Sequence, residues 1–129
     1  MRAPISNGLF SPPATMLGSL SGFDGVDTNY SFGIYEIWAI PSAFNAVYMF
    51  CKLEGSVHVP LYIGRAENLA NRLSGHERLE EAIFQGATHL LVHAPGHAAR
   101  VGFIEAERRL IIRYNPPLNT QHRSLSLWR

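Results

Sequence analysis

Two apolar runs, Ala46–Lys52 (AVYMFCK) and His58–Ile63 (HVPLYI), flank the tetrapeptide Leu53-Glu54-Gly55-Ser56. Runs of this length, rich in β-branched and aromatic residues and separated by a glycine-bearing turn, read as an antiparallel hairpin. Pro60 has no N–H to give to a ladder, so the second strand should lie at a sheet edge or carry a bulge near its start. A hairpin alone is marginal in water and needs further elements to cover it. The rest of the chain supplies them. Ala66, Leu69, Ala70 and Leu73 recur at helical spacing after Gly64, and a second helical stretch, Glu77–Phe84, stops at Gln85-Gly86. HLLVHA at 89–94 reads as a third strand, and His97–Tyr114 reads as a final helix stopped by Asn115-Pro116-Pro117. The order β-β-α-α-β-α predicts an α+β domain with a small three-stranded antiparallel sheet flanked by helices.

Upstream, SFGIYEIWAI at 31–40 can form an extra edge strand or a short helix, while residues 1–29, rich in Gly, Ser, Pro and Asn, predict little regular structure. The expected organisation is an N-terminal extension at 1–45, a domain at 46–119 and a tail at 120–129. At 129 residues and 47% apolar, the chain is long enough and apolar enough for one core. The stretch Ile37–Phe50 is broken by Pro41, Ser42 and Asn45, so no membrane span is expected. Prolines and polar residues near the start argue against a secretory signal, and a single cysteine, Cys51, excludes an internal disulfide; a reducing cytoplasm is the expected compartment.

Charge is unevenly placed. Residues 1–61 hold two cations and four carboxylates, whereas residues 62–129 hold nine arginines and six glutamates, with no lysine. Arginine forks suit bidentate recognition of phosphate, although an ordinary solvated surface has the same composition. On a helical wheel Glu107 falls inside the apolar stripe of the last helix, formed by Phe103, Ile104, Leu110, Ile111 and Tyr114. A carboxylate so placed requires a cation, a metal, an arginine partner or a stripe edge open to solvent. Glu105 points the other way. On the helix expected after Gly64, Arg65, Arg72 and His76 fall on one stripe, a row able to hold successive phosphodiester oxygens; Ser74-Gly75 can end that helix before His76.

Together these residues resemble the GIY-YIG nuclease superfamily. The resemblance is carried by Tyr62-Ile63-Gly64-Arg65, Asn68, Arg72, His76, Glu107 and Tyr114-Asn115-Pro116-Pro117-Leu118-Asn119, in the family's order, over about residues 46–119. The first tripeptide is matched by Ala46-Val47-Tyr48, with alanine where the family usually has glycine. The literal Gly33-Ile34-Tyr35 lies too far upstream for a short hairpin and is set aside. Histidine at 76 replaces the more usual tyrosine.

The resemblance implies a three-stranded sheet and a metal-dependent DNA endonuclease. Glu107 would bind one Mg²⁺, with Mn²⁺ as substitute, and Arg72 would grip the scissile phosphate. Tyr48, Tyr62 and His76 would surround the attacking water, with Tyr62 or His76 as base and Arg65 supplying positive charge. Asn68 and Asn119 would contact substrate or orient the site. Expected partners are duplex or branched DNA, and a homodimer or separate targeting subunit; no membrane is involved. The alternatives are an inactive nucleic-acid-binding module and a subunit of a larger DNA-processing assembly.

Overall fold

The computed structural model describes residues 14–119; residues 1–13 of the expected extension and the expected tail at 120–129 lie outside them. The sheet has five strands, not three, all antiparallel. Its strands are β1 (Gly18–Phe23), β2 (Asn29–Glu36), β3 (Phe44–Glu54), β4 (Val57–Asn68) and β5 (His89–His93), in spatial order β1-β2-β5-β3-β4. The helices are α1 (Leu69–Leu73), α2 (Glu77–Phe84) and α3 (Phe103–Tyr114), followed by a helical turn at 117–119. No helix among the described residues is long and apolar enough to cross a membrane.

The three expected strands are β5, β3 and β4, side by side; the two added ones come from the supposed extension. Residues 31–40 form neither an edge strand nor a helix. Their first half lies in β2, an interior strand paired with both β1 and β5. The strand β1 was hidden by its composition. In Gly18-Ser19-Leu20-Ser21-Gly22-Phe23 the inward positions alternate, but glycine and serine supply too little apolar contrast to register as a period of two.

Two clusters pack on opposite faces of the sheet. On one face Tyr48, Phe50, Leu90 and Val92 meet Leu69 and Leu73 of α1 and Ala82 of α2. On the other, Tyr30, Phe32, Val47, Met49, Cys51, Ile63 and Leu91 meet Ala106 and Leu110 of α3. Residues 14–45 thus share the core of the rest. Helix α3 begins at Phe103, six residues later than expected, because Gly102 takes the N-cap position in extended conformation. It ends as expected, with Asn115 in the left-handed region before Pro116.

The hairpin β1–β2 is fastened to α3 by one carboxylate. Asp24, with no exposed side-chain surface, accepts hydrogen bonds from the N–H groups of Val26, Asp27 and Thr28 and from the Tyr30 hydroxyl, and pairs with Arg109 at 3.2 Å. Burial alone would raise its pKa; the bonds from Val26, Tyr30, Thr28 and Arg109 outweigh that and hold it far below the ordinary carboxylate range. Removing the carboxylate leaves three backbone N–H groups and the Tyr30 hydroxyl without their acceptor, so Asp24→Ala should cost about 3–5 kcal/mol in urea unfolding. In the wild type this contribution is present above the unfolded-state pKa of about 4 and fades as pH falls toward the depressed folded value. A loss below about 1 kcal/mol would show that the turn holds without its carboxylate.

Candidate active site

The chemistry-bearing residues converge where β4 meets α1 and α3. Pro60 sets the geometry. The register of β3 against β4 pairs Cys51 with Pro60 and Phe50 with Tyr62, leaving Leu61 as the extra residue of a bulge on an edge strand, as Pro60 predicts. Beyond the bulge the alternation of faces is reset. Tyr62 now stands with Tyr48 and Phe50 on the α1–α2 face, and Arg65, paired with Val47, stands on the α3 face.

A cleft of about 510 Å³ opens along this edge. Tyr62 and Arg65 from β4, Arg72 from α1, Glu107 from α3 and Asn119 line it, five of the residues singled out in the sequence. Glu77, Arg78, Ile104, Arg108, Ile111 and Ile112 complete it and were not anticipated. Arg108 and Arg78 neighbour expected site residues in sequence, but nothing in periodicity separates them from other surface arginines. A second concave lobe shares Arg65, Arg72 and Ile104 with the first and adds Asn68 and Asn71. Asn68 also caps α1, its side chain accepting from the Asn71 N–H.

The expected single row of Arg65, Arg72 and His76 on one helix does not exist. Strand β4 continues through Asn68, so Arg65 is a strand residue, Arg72 lies on a five-residue helix, and His76 is the N-cap of α2. Arg65 and Arg72 reach the same cleft from different elements. His76 turns inward instead and is 3% exposed.

Glu107 also departs from its expected place. The buried face of α3 centres on Ala106 and Leu110, and Ile104 is exposed, so Glu107 sits at the stripe's flank and not in its middle. Its side chain keeps 17% of its surface and pairs with Arg65, Nη1 to Oε1 at 3.0 Å. This is the arginine partner that a flanking carboxylate calls for. Glu105 is held by Arg108 and Arg109, which together lower its pKa to about 2. Arg78 pairs with Glu81, and Arg108 with Glu105. Of the four cleft arginines, Arg72 alone forms no ion pair with a carboxylate among the described residues.

Behind Tyr62 lies a buried polar pair. Tyr48 is fully buried, and its hydroxyl is 2.8 Å from His76 Nε2. The other ring nitrogen, Nδ1, accepts the Arg78 N–H at 3.0 Å. An acceptor Nδ1 assigns the proton of the neutral ring to Nε2, so His76 donates to Tyr48. Burial, with Arg72 and Arg78 nearby, lowers the His76 pKa to about 4, and burial pushes Tyr48 far above its usual value. The pair explains the glycine of Tyr62-Ile63-Gly64. A Cβ on Gly64 would stand 2.5 Å from the Tyr48 hydroxyl oxygen, inside contact distance. Ala46, where the sequence resemblance expects glycine, is fully buried opposite Ala66, and its methyl joins the core. Gly33-Ile34-Tyr35 lies on β2, with β5 and β3 between it and β4.

Tyr62 is half-buried, stacked on Phe50 at 5.8 Å and edge-on to His76 at 5.4 Å. Burial raises its pKa, while Arg72 beside the phenol and Arg78 act to lower it. Asn119 fixes this stretch of β4. Its Oδ1 accepts the Ile63 N–H, and its Nδ2 donates to the Ile63 carbonyl, both at 2.9 Å.

A magnesium ion takes six oxygens, keeps several waters and commonly uses one or two carboxylates plus substrate phosphate oxygens. Among the described residues no group of three or more His, Cys, Asp or Glu converges to cage a metal. Glu107 is a single, partly exposed carboxylate paired with Arg65, on the wall of the cleft that Arg72 also lines. No family model, curated protein or solved structure matches the chain.

His76 yields a stability test. Its folded pKa of about 4 lies below the unfolded value of about 6.5, so the unfolded state binds the extra proton between these pH values. Stability should be fully present above about pH 6.5 and fall by about 2–3 kcal/mol toward pH 4. Urea unfolding at stepped pH should lose this slope in His76→Gln. An unchanged slope would place the titrating group elsewhere.

Proposed function

We propose that this cleft hydrolyses DNA phosphodiester bonds with one divalent cation, Mg²⁺ or Mn²⁺, held by Glu107. The observation that carries the reading is the meeting of Arg72, without a carboxylate partner among the described residues, with Tyr62 and Glu107 in one cleft. The sequence resemblance to GIY-YIG nucleases supports it on the same residues. An exposed guanidinium, a phenol and a carboxylate around one cleft match the needs of phosphoryl hydrolysis: a phosphate anchor, a water-orienting group and a seat for a cation.

In this reading Arg72 binds the scissile phosphate and strengthens its bonds as charge develops on the equatorial oxygens. Tyr62 orients the attacking water through its phenolic oxygen and, in its phenolate form, receives the proton that the water loses. Arg72 and Arg78 act to lower the Tyr62 pKa against the effect of burial. The cation, when bound, adds positive charge to neutralise the transition state. His76 cannot serve as the solvent-facing base while both ring nitrogens are engaged, and acts instead through Tyr48 as a positioning residue. Asn119 holds the β4 backbone next to Tyr62, and Asn68 and Asn71 line the adjoining lobe, where a neighbouring nucleotide would run. A reducing cytoplasmic setting accords with the buried free thiol of Cys51.

The Arg65–Glu107 ion pair favours a second reading, a nucleic-acid-binding module without cleavage or a binding subunit of a larger assembly, because the carboxylate already has a cationic partner. Incubation with plasmid, linear duplex and branched DNA in Mg²⁺, Mn²⁺ or EDTA separates the two. Cleavage should require the metal and disappear in Glu107→Ala. Binding with no cleavage in either metal would decide for the module.

Arg72→Ala should reduce turnover by about a hundredfold or more while duplex affinity weakens less than about tenfold. The opposite split, lost affinity with unchanged turnover of bound DNA, would make Arg72 a docking contact only. Tyr62→Phe should lose nearly all turnover at every pH, whereas His76→Gln should keep measurable turnover if its fold is intact. Activity of Tyr62→Phe within a fewfold of wild type, with a rate limb between about pH 6 and 7 that His76→Gln removes, would transfer the base to His76.

A further inference from the structure

Arg65 stands between two possible partners. Its guanidinium holds Glu107 at 3.0 Å, yet half of its side-chain surface is open, and it lines both lobes of the groove. It projects from an edge strand, so its long stem can turn from Glu107 without disturbing the core. Arg72 lines the same two lobes and forms no carboxylate pair among the described residues, so an anion drawn to Arg72 arrives beside Arg65.

The ion pair has two consequences for ligands of opposite charge. A divalent cation approaching Glu107 meets a guanidinium already on the carboxylate, and must displace it against like-charge repulsion. A phosphate approaching Arg65 meets a guanidinium already neutralised by Glu107. Each ligand releases the residue the other needs, and such reciprocal release is a positive coupling between two binding events.

We propose that Arg65 and Glu107 form a gate that couples the two ligands: in the free protein Arg65 occupies the carboxylate, and duplex DNA draws Arg65 onto its phosphate and frees Glu107 for the divalent cation. The proposal rests on the reading of Glu107 as the metal-holding residue. It makes Arg65 a positioning residue whose effect appears in binding before any chemistry occurs. The ion pair and the metal seat are then two states of one carboxylate.

The test uses the full chain and needs no turnover. In the first arm, Mn²⁺ affinity is measured calorimetrically without DNA for wild type, Arg65→Gln and Glu107→Gln, each checked for an unchanged melting temperature. Arg65→Gln should bind Mn²⁺ at least tenfold tighter than wild type, and Glu107→Gln should abolish binding. In the second arm, affinity for a short duplex is measured in EDTA by fluorescence anisotropy. Glu107→Gln should bind about fivefold or more tighter than wild type, and this gain should vanish when Arg65→Gln is already present.

Equal Mn²⁺ affinity in wild type and Arg65→Gln, with binding lost in Glu107→Gln, overturns the gate and leaves the metal reading standing. Mn²⁺ binding unaffected by Glu107→Gln, or undetectable in every variant, overturns both. A DNA gain from Glu107→Gln that persists without Arg65 is a plain effect of removing negative charge and also overturns the gate.

Discussion

One extra residue in an edge strand organises this protein's cleft. Strand β4 lies at the sheet edge and carries a single extra residue, Leu61, just after Pro60. Side chains on a strand alternate strictly, so one inserted residue exchanges the faces of everything after it. Without it Tyr62 would face α3, and Arg65 would point toward Tyr48 and α1. With it the phenol rests on Phe50 and His76, and the guanidinium reaches Glu107. The cleft is thus assembled by register.

The two faces of the sheet then supply different support. Behind Tyr62 the pair Tyr48–His76 is buried and neutral, with both imidazole nitrogens hydrogen-bonded, and it meets Phe50 and Tyr62 through tilted and edge-on ring contacts. Behind Glu107 the support is charged. Arg109, two residues further along α3, is tied to Asp24 and Asp27 of the β1–β2 turn and to Glu105. The N-terminal hairpin therefore helps to set where α3 sits, and with it the carboxylate of the cleft. A neutral wall is insensitive to salt, whereas in the ionic one only the buried Arg109–Asp24 contact escapes most screening, since the Asp27 and Glu105 side chains are exposed.

Much of this was legible in the sequence because the signals were local. The hairpin over Leu53–Ser56, the bulge at Pro60, the stop at Asn115-Pro116 and strand β5 each follow from a few neighbouring residues. The errors came where context decided. Apolar residues at 66, 69, 70 and 73 suit a helix, but Ala46 across the ladder holds Ala66 in the strand, and α1 shrinks to its last five residues. β1 escaped notice because its inward positions include glycines. A wheel drawn from apolar residues puts Glu107 deeper than it lies because it takes Ile104 as core, when Ile104 is exposed, Ile111 is only partly buried and the buried face centres on Ala106 and Leu110. That Tyr62, Arg65, Arg72, Glu107 and Asn119 share a cleft depends on four elements meeting, which no pattern within one element can convey.

The side-chain amide of Asn119 has a further consequence. An edge strand presents unpaired backbone groups that invite a strand from another molecule. On β4 the Ile63 N–H and carbonyl are both taken by Asn119, and three residues before it Pro60 has no donor to offer. A foreign strand aligned along β4 would lose hydrogen bonds at both places, so among the described residues this edge is a poor template for sheet extension. The border of the cleft is thereby guarded against strand pairing where Tyr62 stands.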